Sequence, residues 1–387
     1  MKNISLIFAL LVLYSLLFAC ANNSPPAERP PSTESSKGQS QLAPEIVSSE
    51  WQGEWEKLIS AARKERSLSI YTSIGSNGRQ AITDGFQKKY NISVEYTAGR
   101  GNDLAEKIIR EDKAGLHMAD IYHSGTTTMF ASLKPSGVLE PIEPMLILPE
   151  VLDTKVYWDG KLPWRDESKL TAAILAYPAP SLFINTNLVK QEEITSYQDL
   201  LNPKWKGKIV MLDPIRGGSG QKWVHVIGPK IMGWDFLREL LKQDLMIHVD
   251  QPIMAQWLAQ GKYAISIGVA SEHILPMIEA GAPIRMVRPK EGAYLTSGSF
   301  ALAVARKSPH PNATRLFINW ALSKEGQTAY SAEVRQHGVR VDVPASLLLP
   351  EFTRQPGEKH IISDDEEYDL TRKKNEDLVK KIFEPYW

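Results

Sequence analysis

Four clusters of small polar residues each follow an apolar run, and each has the composition of an anion-binding turn. The first is "SIYTSIGSN", where Leu68–Tyr71 run into Ser73, Gly75, Ser76 and Asn77. The second places Ser124, Gly125 and Thr126 after "ADIYH". The third is "DPIRGGSG", with Arg216, Ser219 and Gly220. The fourth is "SIGVAS", which ends on Ser271. A turn of glycines and hydroxyls that opens a helix presents backbone N–H groups, and the helix dipole favours negative charge there. The same turns also serve as plain helix caps. Arg100, in "TAGRGND", is a further cation placed just after a strand. Arginine matches a carboxylate or phosphate in charge and geometry. Glu272 and His273 are candidate metal ligands and equally ordinary residues for a helix start. The remaining histidines, including His117, His123 and His225, lack metal-ligand spacing.

Catalytic patterns fail on inspection. A nucleophile elbow needs G-x-S-x-G, and "GGSGQ" lacks the last glycine. No G-x-x-x-x-G-K-[ST] phosphate loop occurs, and "GRGNDL" misses the last position of a dinucleotide fingerprint. The expectation is a binding protein with no catalytic residue and no cofactor; a secreted hydrolase is the weaker alternative.

The elements that position these turns alternate. "EWEKLISAARKE" (54–65) has helical spacing, "SLSIYTS" reads as a strand, and 78–90 reads as a helix. "ISVEYTAG" is a strand, "NDLAEKIIREDKAG" a helix stopped by Gly115, and 119–137 repeats the strand–turn–helix order. Such alternation predicts parallel βαβ units, whose ligands bind beyond the carboxyl ends of the strands. The first two turns would then face one cleft. Residues 171–187 form an extended run broken by Pro178 and Pro180. A second region from about 196 repeats the strand, loop and helix pattern.

The first residues predict a chain exported from the cytoplasm. Ile4–Phe18 is apolar behind one lysine, as in a secretory signal peptide. Cys20 is the only cysteine, so no internal disulfide can form. "LFAC" resembles the lipobox of bacterial lipoproteins, which implies a signal peptide over 1–19 and a lipidated Cys20. Residues 20–49 are rich in Pro, Ser, Gln and Asn and read as a flexible tether. Lys plus Arg and Asp plus Glu both total 45, which argues against a nucleic-acid binder. A body of this length suggests two lobes.

In its order of segments the chain resembles the extracellular solute-binding proteins of bacterial ABC importers, closest to the ferric, phosphonate and thiamine subgroup. "WEKLISAARKERSLSIYTS", "ADIYHSG", "INTNLV", "YQDLLNPKWKGKIVMLDP", "GKYAISIGV" and "SFALAVARKSPHPNATRLFINWALSKEGQ" carry the likeness across about 51–340. It implies an α/β, two-lobe, type II periplasmic-binding-protein fold whose cleft closes about two extended hinge crossings. Lobe 1 would comprise 50–172 with 297–345, lobe 2 would comprise 183–290, and 346–387 would be a C-terminal extension ending in a charged helix on the body. The crossings would lie near 171–182 and 294–299, bringing Tyr177 and Ser297 to the cleft. Tyr71, Tyr122, Trp223 and Tyr294 are further candidates for stacking on an organic group. Ferric binding in the family uses an adjacent tyrosine pair; here the matching place reads Ala270-Ser271-Glu272-His273. The expected ligand is therefore a small anionic solute: a phosphonate, phosphate ester, sulfonate or carboxylate. Ferric iron or a ferric complex is the alternative, and a sensing receptor is the alternative to transport. The expected partners are that solute, an ABC permease and a lipid anchor, with the chain monomeric and at the periplasm or cell surface.

Overall fold

The computed structural model describes residues 43–386 apart from 180, 181, 217, 356, 357 and 359. The expected signal peptide, Cys20 and the tether up to residue 42 lie outside the described residues. One boundary needs correcting. The helix Ala43–Glu65 begins inside the stretch read as tether. Pro44 falls in its first turn, where a missing N–H breaks no hydrogen bond, and no proline or glycine follows until Gly53.

The strands come in three groups along the chain. β1 (Ser67–Thr72), β2 (Ser93–Ala98), β3 (Ile121–Ser124) and β4 (Leu139–Glu140) come first. β5 (Thr171–Ala173), β6 (Tyr177–Pro178) and β7 (Leu182–Asn185) carry the chain across to β8 (Ile209–Leu212), β9 (Met246–His248), β10 (Ile265–Ile267) and β11 (Ile284–Met286). β12 (Ala293–Thr296) and β13 (Ala301–Ala305) carry it back, and β14 (His360–Ile362) follows much later.

They form three sheets. The first has the order β2-β1-β3-β13-β4, with β5 also on β13. The second has the order β11-β7-β10-β8-β9, and a small third sheet is β14-β12-β6. The alternating pattern predicts parallel pairing, and β1 does pair in parallel with β2 and β3, as β8 does with β9 and β10. In the first two sheets the exceptions are β13 and β7, which are antiparallel to their neighbours. Both arrive through a crossing from the other half, so no local helical crossover sets their direction.

Side-chain alternation builds the cores on both faces of each sheet. On β13, Leu302 and Val304 join one apolar cluster, while Ala301, Ala303 and Ala305 join that of Tyr122, Met129 and Phe130. On β8, Ile209 and Met211 pack with Trp223 and Leu237, while Val210 and Leu212 pack with Met254 and Leu258. The charged C-terminal helix Glu366–Phe383 is more than a surface element: Tyr368, Val379, Ile382 and Phe383 are buried in the core of the second sheet. Among the described residues no helix is long and apolar enough to cross a membrane.

Candidate functional site

At the carboxyl end of β8 the backbone turns sharply. Asp213 Oδ1 accepts from the N–H groups of Ile215 (2.7 Å) and Arg216 (3.2 Å), closing the loop on itself. The helix Ser219–Val226 then starts against the strand end. A Cβ on Gly220 would lie 2.6 Å from the Leu212 carbonyl oxygen and 2.7 Å from that of Asp213, so only glycine fits. Gly268, just past β10 with φ +85°, packs on the same spot: its Cβ would lie 3.1 Å from Gly220 Cα. Ser219 Oγ donates to the Gly268 carbonyl at 2.5 Å. The two glycines thereby bring the starts of helices Ser219–Val226 and Ser271–Glu279 side by side.

These helix starts form one wall of a cleft of about 440 Å³. Ser219, Gln221 and Lys222 come from the first helix, and Ala270 and Ser271 from the second, with Gln251 beside them. Gln251 Oε1 accepts the Ala270 N–H at 2.7 Å and so holds the second start in place. Tyr177 of β6, Tyr294 and Thr296 of β12, and Gly298 supply the base. Gly298 has φ +58°, and a Cβ there would lie 2.7 Å from Tyr177 Oη. Thr127 enters from the half built on the first sheet, and Tyr368 and Arg372 from the C-terminal helix.

Lys222 is the cation of the helix wall. Its Nζ donates to Thr296 Oγ1 at 3.1 Å. Burial pushes its ammonium below the usual lysine range; Asp364 opposes the shift and Arg165 adds to it. Arg372 donates from Nη2 to Asp369 Oδ1 at 2.8 Å, and its buried Nε finds no partner among the described residues.

A second compartment of about 370 Å³ adjoins the first and shares Thr127 with it. Arg100, Gly101, Ser124, Gly125 and Ser299 line it. Ser124 Oγ lies 2.6 Å from Ser73 Oγ, which joins the first two polar turns. The Arg100 side chain is exposed and has no hydrogen-bond or ion-pair partner among the described residues.

The expected residues therefore divide. Ser219, Ser271 and Tyr177 line the main cleft; Arg100, Ser124 and Gly125 line its neighbour; Ser73 supports Ser124. Thr126 is buried beside Thr127, and Gly220 is buried for packing rather than contact. Gly75, Ser76 and Asn77 stand away from both linings. Ser76 donates to Asn77 Oδ1, and Asn77 Nδ2 donates to the Glu333 carbonyl at 3.1 Å, which turns this helix start toward the helix Lys324–Val334. Arg216 also stands away, 71% exposed and paired with Asp213 at 3.2 Å, because the loop folds back on that carboxylate. Ser297 is buried, and its N–H donates to Asp364 Oδ2 at 2.5 Å. Tyr294 lines the cleft, but Tyr71, Tyr122 and Trp223 are buried in the cores. His123 is buried against Tyr330 Oη at 3.1 Å, and burial pushes it down to about 3. His273 lies outside both linings, and no cluster of three or more His, Cys, Asp or Glu side chains suited to a metal occurs among the described residues. Sequence reasoning passed over Lys222, Thr296, Gln251, Tyr368 and Arg372. Lys222 had a signal: it follows Ser219 by three positions, on the same helix face. Arg372 had none, since a charged helix reads as a solvated one.

Residues 81–346 match the family of bacterial extracellular solute-binding proteins. The chain belongs to this family. A Haemophilus influenzae protein is 25% identical over 276 residues, 69% of this chain and 76% of its own. The major ferric iron-binding protein of Neisseria meningitidis serogroup B is 21% identical over 308 residues, 76% and 86% of the two chains. Among solved structures, the periplasmic binding protein AfuA of Actinobacillus pleuropneumoniae, with fructose-6-phosphate bound, superposes with a TM-score of 0.60 at 22% identity. That match covers 82% of this chain and 98% of AfuA. The Trichodesmium protein IdiA (FutA), in complex with iron and citrate, gives 0.63 at 21% identity over the same shares. The solute-binding protein thus has the type II periplasmic-binding-protein fold found in ABC importers. Its family match stops at residue 346, short of β14 and the C-terminal helix.

Proposed function

We propose that this solute-binding protein captures a small organic anion in the 440 Å³ cleft and delivers it to an ABC permease. Lobe 1 (50–172 with 297–345) and lobe 2 (183–290) would close on it about the crossings. Lys222 carries the reading. A partly desolvated ammonium between two helix starts attracts a phosphate, phosphonate, sulfonate or carboxylate. The same charge repels a bare ferric ion, while Tyr177 and Tyr294 offer apolar faces to a carbon skeleton.

A ferric complex carried by an organic chelator is the second reading. The relatives named for ferric iron and the iron–citrate complex of the Trichodesmium protein favour it. A chelator's free carboxylate would meet Lys222 as any other anion does.

Thermal shift of the purified protein separates the two readings, because a ligand that binds only the native state raises Tm. The panel is fructose 6-phosphate, 2-aminoethylphosphonate, taurine, citrate and ferric citrate. A metal-free anion is expected to raise Tm, and Lys222→Met to abolish that rise. A rise with ferric citrate alone would establish the second reading. Lipidation of Cys20 would hold the protein at the membrane. Cys20→Ser is expected to release it into the soluble fraction; retention of that variant in the membrane would refute the anchor.

A further inference from the structure

The C-terminal extension reaches the cleft by a route that fixes its position. β14 pairs in parallel with β12, Tyr294 opposite Ile361 and Leu295 opposite Ile362. Ser363 then donates to the Leu295 carbonyl from both its N–H (3.0 Å) and its Oγ (2.7 Å). Asp364 accepts the Ser297 N–H and pairs with the Arg165 guanidinium at 3.0 Å. The extension thus follows β12 up to the point where Thr296 and Gly298 line the cleft.

The helix Glu366–Phe383 begins there, capped by Asp365, whose Oδ1 accepts the Tyr368 N–H at 2.8 Å. Its far end is immobilised by Val379, Ile382 and Phe383 in the core of the second sheet. Its first turn is tied to both halves: Glu366 pairs with Lys134 at 2.7 Å and Glu367 with Lys230 at 3.0 Å. Tyr368 and Arg372, four positions apart, share one face, and that face lines the cleft. The helix also packs on Ser219–Val226, which carries Lys222. Asp369 takes Nη2 of the Arg372 guanidinium at 2.8 Å and Glu376 lies 3.9 Å from Nη1, while the buried Nε has no acceptor among the described residues. Arg372 lines the cleft, so its guanidinium can turn toward a bound anion, and the unsatisfied Nε gives it a hydrogen bond to gain by doing so.

We propose that Tyr368 and Arg372 are ligand contacts, so that the C-terminal helix selects the solute. Resting on the cleft reading above, this gives the site two cations, Lys222 and Arg372, on two helices packed together. Two cations favour a doubly charged group, such as a phosphate monoester, over a singly charged carboxylate. Lys222 alone would separate them weakly.

The test is titration calorimetry of the purified protein with fructose 6-phosphate and with gluconate, alongside hydrogen exchange of the wild type. Arg372→Met is expected to weaken fructose 6-phosphate tenfold or more and gluconate less than threefold. Arg372→Lys is expected to restore part of the difference, and Tyr368→Phe to weaken both modestly. Fructose 6-phosphate is expected to slow exchange in residues 366–374 of the wild type, a readout that needs no variant to fold. Loss of binding in Lys222→Met, with wild-type binding in Arg372→Met and no protection of 366–374, overturns this proposal and leaves the cleft reading standing. Wild-type binding in both variants overturns both, and a wild-type protein that binds neither compound overturns the phosphate-monoester selection proposed here.

Discussion

The candidate site depends on two glycines as much as on its polar groups. Gly220 lies so close to the Leu212 and Asp213 carbonyl oxygens that a methyl group there must displace backbone. Gly220→Ala is therefore expected to destabilise the protein by about 1–3 kcal/mol, the usual range for overpacking. Gly75 is the control, since nothing lies within 4 Å of a Cβ there. Gly75→Ala should change stability by less than about 0.5 kcal/mol, as surface substitutions do. Urea unfolding of both variants measures the contrast, and equal losses would contradict it. Legibility at this scale followed the strand ends. Ser219 and Ser271 were legible as cleft-lining residues because a polar residue after an apolar run marks the rim of a sheet, whereas Tyr177 came from the crossings that the family resemblance implies. Ser76, Asn77 and Arg216 fit the same rule but point elsewhere, because Glu333 and Asp213 supply nearer partners. Such partners come from residues distant in sequence or from a loop's own closure, which no local pattern displays.

At the scale of elements, the joint between extension and crossing is the most exposed to a single change. Arg165 and Asp364 are 4% and 3% exposed and lie 3.0 Å apart. Removing one partner leaves the other as an uncompensated buried charge, which costs about 3–5 kcal/mol. Asp364→Ala also deprives the Ser297 N–H of its acceptor. The expected result is a large loss of stability in Asp364→Ala. A smaller loss is expected in the double variant Arg165→Met, Asp364→Leu, where no charge remains to be buried alone. Denaturant titration of these two variants, the single variants Arg165→Met and Asp364→Leu, and the wild type completes the comparison; a double variant that loses as much as the two matching single losses combined would argue against coupling. The alternating elements of both sheets were readable from periodicity. The direction of β7 and β13 was not, since a strand arriving from another sheet carries no sequence mark of its orientation. β14 was also missed, because its three residues find their partner some 65 positions earlier along the chain, at β12.

For the whole molecule, acid is the informative perturbation. Burial pushes His123 down to about 3, and His225 and His337 down to about 4, from an ordinary value of 6.5. These imidazoles stay neutral in the native state while the unfolded chain takes up protons near pH 6.5. The unfolded state therefore binds more protons below that pH, and stability must fall as the solution is acidified from about 6.5 toward 4. Each histidine contributes at most about 1.4 kcal/mol per pH unit over its interval. Carboxylates held low, such as Asp342 beside Arg340, add their losses at lower pH. Tm is expected to be level above pH 7 and to decline from 6.5 to 4.5, with a shallower slope in His225→Gln. A level Tm across that interval would refute the buried-neutral assignment. Zero net charge gave no hint of this, because formal charge counts residues without regard to burial. The pairing of β14 with β12, and the seating of the last helix in the second core, also bear on how the protein is made. Strands β7 to β11 leave the ribosome well before residues 366–383, whose Tyr368 and Phe383 complete their apolar packing. A half-made chain thus carries an open greasy face on its second sheet for the time needed to synthesise about a hundred further residues, several seconds or more. Apolar surface exposed for that long is the kind that chaperones cover in cells.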